Sequence, residues 1–151
     1  MFSRFIRHTI RRSFSTIVFE PDNIAVYDDN EYLHSYGGKP AYVGRDGTKK
    51  WYKHGELNDP WDGVPAVLCG NGDKYFYRDG LKHRDGGLPA VECRKHQEYW
   101  VNGERHREDG LPAVIIGKYT EYWVNGKFVR RTGRLLMKTA EDRLMDEFDK
   151  Y

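Results

Sequence analysis

The chain has 151 residues, room for one modest domain and short appendages, and no uninterrupted apolar run of the roughly 18–20 residues that a membrane-crossing helix needs. Its hydrophobic fraction is 38% and its aromatic share 15%, with 11 Tyr and 4 Trp, so much of the buried area must come from large amphipathic rings suited to pleated, half-exposed surfaces. The formal charge of +2 is unevenly placed: without the four arginines of residues 1–19 the remainder holds 21 basic and 23 acidic residues, which removes any general electrostatic case for nucleic-acid binding.

Residues 1–15 hold Arg4, Arg7, Arg11 and Arg12 and no acid, and they space Phe2, Phe5, Ile6 and Ile10 along one helical face. That is the pattern of a mitochondrial transit peptide, with Arg12-Ser13-Phe14-Ser15 resembling a matrix-protease site. A basic amphipathic helix that rests on a membrane surface or a partner and is retained is the other reading. Residues 16–35 read as a polar connector and amino-terminal cap, with short strands expected at Ile24 to Tyr27 and Glu31 to His34.

From residue 36 to 131 the sequence repeats. Gly-x-Pro-Ala occurs four times, ending at Ala41, Ala66, Ala90 and Ala113, and its prolines at 40, 65, 89 and 112 step by 25, 24 and 23. The aromatic pairs Trp51-Tyr52, Phe76-Tyr77, Tyr99-Trp100 and Tyr122-Trp123 keep the same period. Each stands just before a turn glycine, at Gly55, Gly80, Gly103 and Gly126. Two landmarks with one period indicate an array of supersecondary units.

The last unit indicates what each part does. Ala113-Val-Ile-Ile116 and Glu121-Tyr-Trp-Val124 are β-branched and aromatic runs separated by Gly117-Lys-Tyr-Thr120, so they should pair as a hairpin. Asn125-Gly126, like Asn102-Gly103 one unit earlier, is the strongest short signal for a type I′ turn. Each unit is expected to contribute two main strands and a short return, which then crosses through Pro65, Pro89 or Pro112 to its neighbour. The predicted fold is an all-β repeat array, an elongated curved sheet of stacked antiparallel hairpins. An isolated hairpin is marginal in water, so stability must come from stacking neighbours.

After Gly133 the turn residues vanish. Leu136, Ala140, Leu144 and Phe148 follow at four-residue steps, predicting an amphipathic α-helix within 132–151. It would cap the open edge or an aromatic face of the sheet, or anchor another subunit.

Glu98-Tyr-Trp-Val-Asn-Gly-Glu-Arg-His-Arg-Glu-Asp-Gly-Leu-Pro-Ala113 resembles the MORN-type repeat (membrane occupation and recognition nexus). It is most similar to the variant form YW-x-NG-x-x-HR-x-DGPA. The resemblance covers residues 36–131, is weaker in the second unit, where Trp61 and Asp62 expand the turn, and is marginal in the first. This chain departs from the pattern by a Leu before each later Pro and by the loss of His in the last turn. The resemblance implies a scaffold or partner-binding sheet, and for the wider family a contact with membrane lipid.

Candidate chemistry is sparse. His83-Arg84 and His106-Arg107 occupy equivalent places, and residues one unit apart stand about 10 Å apart on sheet spacing, too far to share a zinc ion. They are expected to bond the carbonyls and acid of their own turn. The same offset forbids a disulfide between Cys69 and Cys93, which read as free thiols. His34, His54 and His96 do not repeat, and no nucleophile or carboxylate motif stands beside them in sequence. Neither an enzyme, a cofactor nor a metal is therefore expected. Arg84, Arg107 and Arg130 could form a stripe suited to phosphates, but Asp85, Glu108 and Asp109 interleave with it.

The candidate interaction surface is the aromatic set Trp51, Tyr77, Trp100 and Trp123. The expected function is a β-repeat scaffold in the mitochondrial matrix whose partner is a protein or a larger assembly. Two alternatives stand beside it: an accessory subunit of a large mitochondrial assembly such as the ribosome, with RNA as a secondary partner, and a virus-encoded repeat protein. Peripheral membrane contact stays open.

Overall fold

The computed structural model describes residues 8–12, 15–61 and 63–133. It is all-β in these residues, and among them no helix is long and apolar enough to cross a membrane. Twelve antiparallel strands form one sheet in unbroken chain order, each hydrogen-bonded to the one before it. They are His8–Arg12, Ser15–Phe19, Asn23–Tyr27, Tyr42–Gly44, Lys49–Lys50, Val67–Leu68, Lys74–Tyr75, Val91–Cys93, His96–Glu98, Val114–Ile116, Tyr119–Val124 and Lys127–Thr132. Every unit thus adds two main strands to the sheet, and the last adds its return as a third. That is the meander the glycine spacing predicts.

The return segment joins this sheet only in the last unit, as Lys127–Thr132. In three units it is a separate two-stranded hairpin: Tyr52–Lys53 with Glu56–Leu57, Tyr77–Arg78 with Leu81–Lys82, and Trp100–Val101 with Glu104–Arg105. In the last unit Tyr119–Val124 runs straight on, yet its pairing with Lys127–Thr132 slips between Tyr122 and Trp123. The break in the other units falls at Trp51, Phe76 and Tyr99, the equivalent position. One bend therefore recurs at the same aromatic residue throughout.

The Pro-Ala signature packs against that bend. The N–H of Trp51, Phe76 and Tyr99 donates to the carbonyl of Ala66, Ala90 and Ala113, each at 2.8 Å. Ala41, Ala66, Ala90 and Ala113 are completely inaccessible to solvent. A larger side chain has no room there, and the preceding proline brings no N–H that would need a partner at the crowded corner.

Cross-strand register sorts the two faces. One row runs Ala25, Tyr42, Lys50, Val67, Tyr75, Val91, Glu98, Val114, Glu121, Arg131, and it contains the buried Ala25, Val67, Val91 and Val114. The next row, on the other face, runs Ile24, Val43, Lys49, Leu68, Lys74, Glu92, Gln97, Ile115, Thr120, Thr132. Here Val43 faces Lys49, Leu68 lies between Lys49 and Lys74, and Ile115 lies between Gln97 and Thr120, so the stems of long polar residues can cover the aliphatic groups.

The ends differ from the sequence reading. His8–Arg12, placed there on a helical face, forms an edge strand paired with Ser15–Phe19. Residues 16–35 add two strands to the sheet, Ser15–Phe19 and Asn23–Tyr27, so the cap belongs to the sheet itself. The β-branched run Ser-Thr-Ile-Val-Phe carries that preference locally. The expected strand Glu31 to His34 is reduced to a single bridge between Tyr27 and Leu33. At the other edge Lys127–Thr132 is exposed along its whole length and carries Lys127, Arg130 and Arg131, charges that oppose edge-to-edge association. The helix expected within 132–151 lies beyond residue 133, outside the described residues.

Candidate functional site

The recurring polar side chains meet at the junctions between units. Each side hairpin turns through two residues with positive φ: His54 and Gly55 at 48° and 86°, Asp79 and Gly80 at 45° and 76°, Asn102 and Gly103 at 49° and 82°, Asn125 and Gly126 at 46° and 72°. These are type I′ turns, which need glycine second and tolerate Asn, Asp or His first. The glycine N–H donates backward to the preceding unit, to the carbonyls of Leu33, Leu57, Lys82 and Arg105 in turn. The first turn residue donates its own N–H to a side chain of that unit: His54 to His34 Nδ1, Asp79 to Asn58 Oδ1, Asn102 to His83 Nδ1 and Asn125 to His106 Nδ1, at 2.9–3.2 Å.

This gives His83 and His106 their place. With Nδ1 accepting, the proton sits on Nε2, which points at Asp85 Oδ1 and Glu108 Oε1, both at 2.8 Å. The contact with each turn's own acid is the expected one; the bond across to the next unit is not visible in a single unit's spacing. Arg84, Arg107 and Arg130 lay their guanidinium groups on the rings of Phe76, Tyr99 and Tyr122 at 3.4–3.7 Å. Arg84 and Arg107 also donate to the carbonyls of Pro89 and Pro112. The arginine row clamps the corner to its own crossing loop.

The candidate aromatic surface needs one correction. Trp51 is 7% exposed and belongs with buried Phe76 and Tyr99 in the row at the bend. Tyr52 is its neighbour in the outward row, which continues through half-buried Tyr77, Trp100 and Trp123. Trp51 donates its indole N–H to the Gly38 carbonyl at 2.8 Å. Trp100 and Trp123 donate theirs to the carboxylates of Glu98 and Glu121, and Lys82 and Arg105 approach the Trp100 ring at 4.8 and 5.1 Å. The buried Glu98 carboxylate also lies 2.8 Å from His96 Nε2.

The irregular second unit opens a groove of about 380 Å³ lined by Asp59, Trp61, Tyr77, Arg78, His83 and Arg84. Trp61 is 56% exposed at its rim. Asp59 Oδ1 accepts the N–H of Ala66 at 2.7 Å and of Tyr77 at 2.9 Å. Burial pushes this carboxyl up to about 6, against the opposing pull of those two bonds and of Arg84 and Arg78. Ser35 Oγ makes the same pair of bonds one unit earlier, to Ala41 and Tyr52. Cys69 and Cys93 are both free and half-buried, and burial pushes both thiols up, toward low reactivity.

Three residues that sequence reasoning left apart come together at the amino-terminal end. Asp28 Oδ2 lies 2.7 Å from His54 Nδ1 and 3.9 Å from His34 Nδ1, and the two imidazole centroids are 4.4 Å apart. Asp28 is buried, and its Oδ1 accepts the N–H groups of Asn30 and Tyr32 at 3.0 Å each. Burial pushes this carboxyl up, but its bonds from His54, Tyr32 and Asn30 outweigh that and hold it below the ordinary carboxylate value. Burial and the neighbouring His54 hold His34 low, toward the neutral imidazole. One signal was available in the sequence: His54 stands where other units carry Asp79, Asn102 and Asn125, in the column that faces His34, Asn58, His83 and His106.

No family model matches the chain, and no curated protein and no solved structure matches it either.

Proposed function

We propose that the chain is a non-catalytic scaffold, a MORN-like β-repeat module that works in mitochondria by offering its hairpin layer to another protein. The observation that carries this reading is a division of labour. The histidines and Asn-Gly turns that recur are spent on joining unit to unit, and the arginines on clamping each corner to its crossing loop. Within the repeats, exposed apolar residues recur on the hairpins and crossing loops: Leu81, Val101, Val124 and Phe128 on hairpins, Leu88 and Leu111 on crossings. Exposed apolar surface in excess of what single scattered residues provide is a common mark of a protein-binding face. The arginine row is occupied by aromatic rings, which argues against its use as a phosphate stripe and so against RNA as the main partner.

The test is cross-linking in cells followed by isolation of mitochondria and recovery of the chain, side by side with a Leu81→Glu, Val124→Glu double variant whose circular dichroism matches the wild type. A protein that accompanies the wild type, withstands nuclease and is lost with the double variant is the expected result. Absence from mitochondria, loss on nuclease treatment, or equal recovery with the variant would refute the reading. Amino-terminal sequencing of the same material reports whether residues 1–15 are removed.

A further inference from the structure

We infer that Asp28, His34 and His54 form a binding site for one divalent transition-metal ion of the Zn2+ class, with solvent completing its coordination. The three ligand atoms all lie within 4.8 Å of one another. Zinc holds nitrogen and oxygen ligands at about 2.0–2.2 Å in tetrahedral sites, which places neighbouring ligand atoms roughly 3.3 Å apart. The separations of 2.7 Å from His54 and 3.9 Å from His34 to Asp28 Oδ2 bracket that spacing, and the two imidazoles each offer a nitrogen within 4.8 Å of the other.

The surroundings suit the task. Asp28 Oδ1 is held by two backbone N–H groups, which aims Oδ2 at the imidazoles. Such outer contacts orient metal ligands. The carboxylate is 6% exposed and forms the floor, whereas the His54 side chain is 61% exposed and leaves an entry path. Two imidazoles and one carboxylate are a borderline donor set that fits Zn2+, Co2+ or Fe2+ better than Ca2+ or Mg2+. Without an ion, a proton on His54 Nδ1 donates to Asp28 Oδ2 at 2.7 Å and His34 Nδ1 accepts the His54 backbone N–H. The ion replaces that proton and draws His34 Nδ1 from the backbone, as expected where metal binding competes with protonation.

Comparison among the units sharpens the case. His83 and His106 are each followed two residues later by an acid that takes Nε2, but the residue two after His34 is Tyr36. At the facing position the first turn alone carries an imidazole, where the others have Asp79, Asn102 or Asn125 with nearly the same φ. Two ligands come from the amino-terminal cap and the third from the first hairpin turn, so the ion would staple the amino-terminal strands to the repeat array.

The experiment uses the tag-free full chain, stripped with EDTA and titrated near neutral pH with ZnCl2 by calorimetry and with CoCl2 by visible absorption. One ion per chain, a higher melting temperature in Zn2+ than in EDTA, and Co2+ d–d bands without a thiolate charge-transfer band are expected. His54→Asn restores the residue that the third and fourth hairpin turns use, so the fold is kept. It and Asp28→Asn should each weaken binding at least tenfold, and a Cys69→Ser, Cys93→Ser double variant should bind as the wild type does. No saturable binding in the wild type, undiminished affinity in well-folded His54→Asn, or loss of binding in the cysteine variant overturns the assignment.

Discussion

Replacing His83 removes a side chain that is 6% exposed and tied at both nitrogens, and the protein contains its own control for the experiment. His83→Ala deletes the acceptor for the Asn102 N–H, about 1 kcal/mol for a neutral hydrogen bond. It also empties the space of a buried imidazole, about 1–2 kcal/mol by area. The contact from Nε2 to Asp85 adds little, because Asp85 is 70% exposed and water takes its place. The total is about 2–3 kcal/mol, or a fall in melting temperature of roughly 5–10 °C for a chain of this length. His83→Asn should behave differently, since Asn58 fills the equivalent position and its Oδ1 accepts the Asp79 N–H at 2.9 Å. That variant keeps the bond across units and should lose only about 1 kcal/mol, roughly 2–4 °C. Thermal unfolding followed by circular dichroism separates the two. Equal losses for Ala and Asn would show that the junction bond contributes nothing and that only ring volume matters.

Three further outcomes follow from particular contacts. Asp59→Asn keeps the Oδ1 that accepts both backbone N–H groups but removes a charge that burial disfavours. An acid whose folded value is raised to about 6 binds more protons folded than unfolded between about pH 4 and 6, so its contribution to stability falls as pH rises through that window. The variant should therefore exceed the wild type by about 1 kcal/mol at pH 8, after screening of a half-buried group, and lose that advantage near pH 4; urea midpoints at the two pH values check it, and a pH-independent difference refutes it. Arg107→Lys gives up the flat stacking on Tyr99 at 3.7 Å along with the fork geometry behind the bond to the Pro112 carbonyl. It should lower stability by about 1 kcal/mol in urea titration, and an unchanged midpoint would mean that the ring contact carries no weight. Gly70→Ala places a Cβ on the backbone carbonyl of Asp46 in the preceding unit, a contact no side-chain motion relieves. It should cost about 1–3 kcal/mol, seen as faster limited proteolysis between the first and second units, whereas unchanged cleavage would show that the turns can part without loss.

Much of the array is legible without coordinates because its rules are local. A type I′ turn needs positive φ at two successive residues, so Asn102-Gly103 and Asn125-Gly126 declare reversals wherever they occur. The period of the prolines and aromatic pairs then places two sheet strands in every unit. Trp51 was harder to place: adjacent residues of a strand face opposite ways, and which ring of each pair is buried depends on the bend at the aromatic position, which spacing does not reveal. Arg-Ser composition and helical spacing drew residues 8–12 toward an address segment, although strand pairing with Ser15–Phe19 claims them in the fold. Local propensity yields when an open sheet edge offers a full ladder of hydrogen bonds.

By itself, then, the sequence determined the repeat, its period, its turns and the all-β class, because each rests on a conformational preference carried by two to four consecutive residues. Tertiary structure alone decided which aromatic row is buried, that His83 and His106 serve the following unit, and that Asp28 meets His54 across 26 residues of chain. The first two depend on how each unit stacks on the next, and the last on how the amino-terminal strands dock on the first hairpin. Docking sums weak contacts among segments distant in sequence, and no local pattern records that sum.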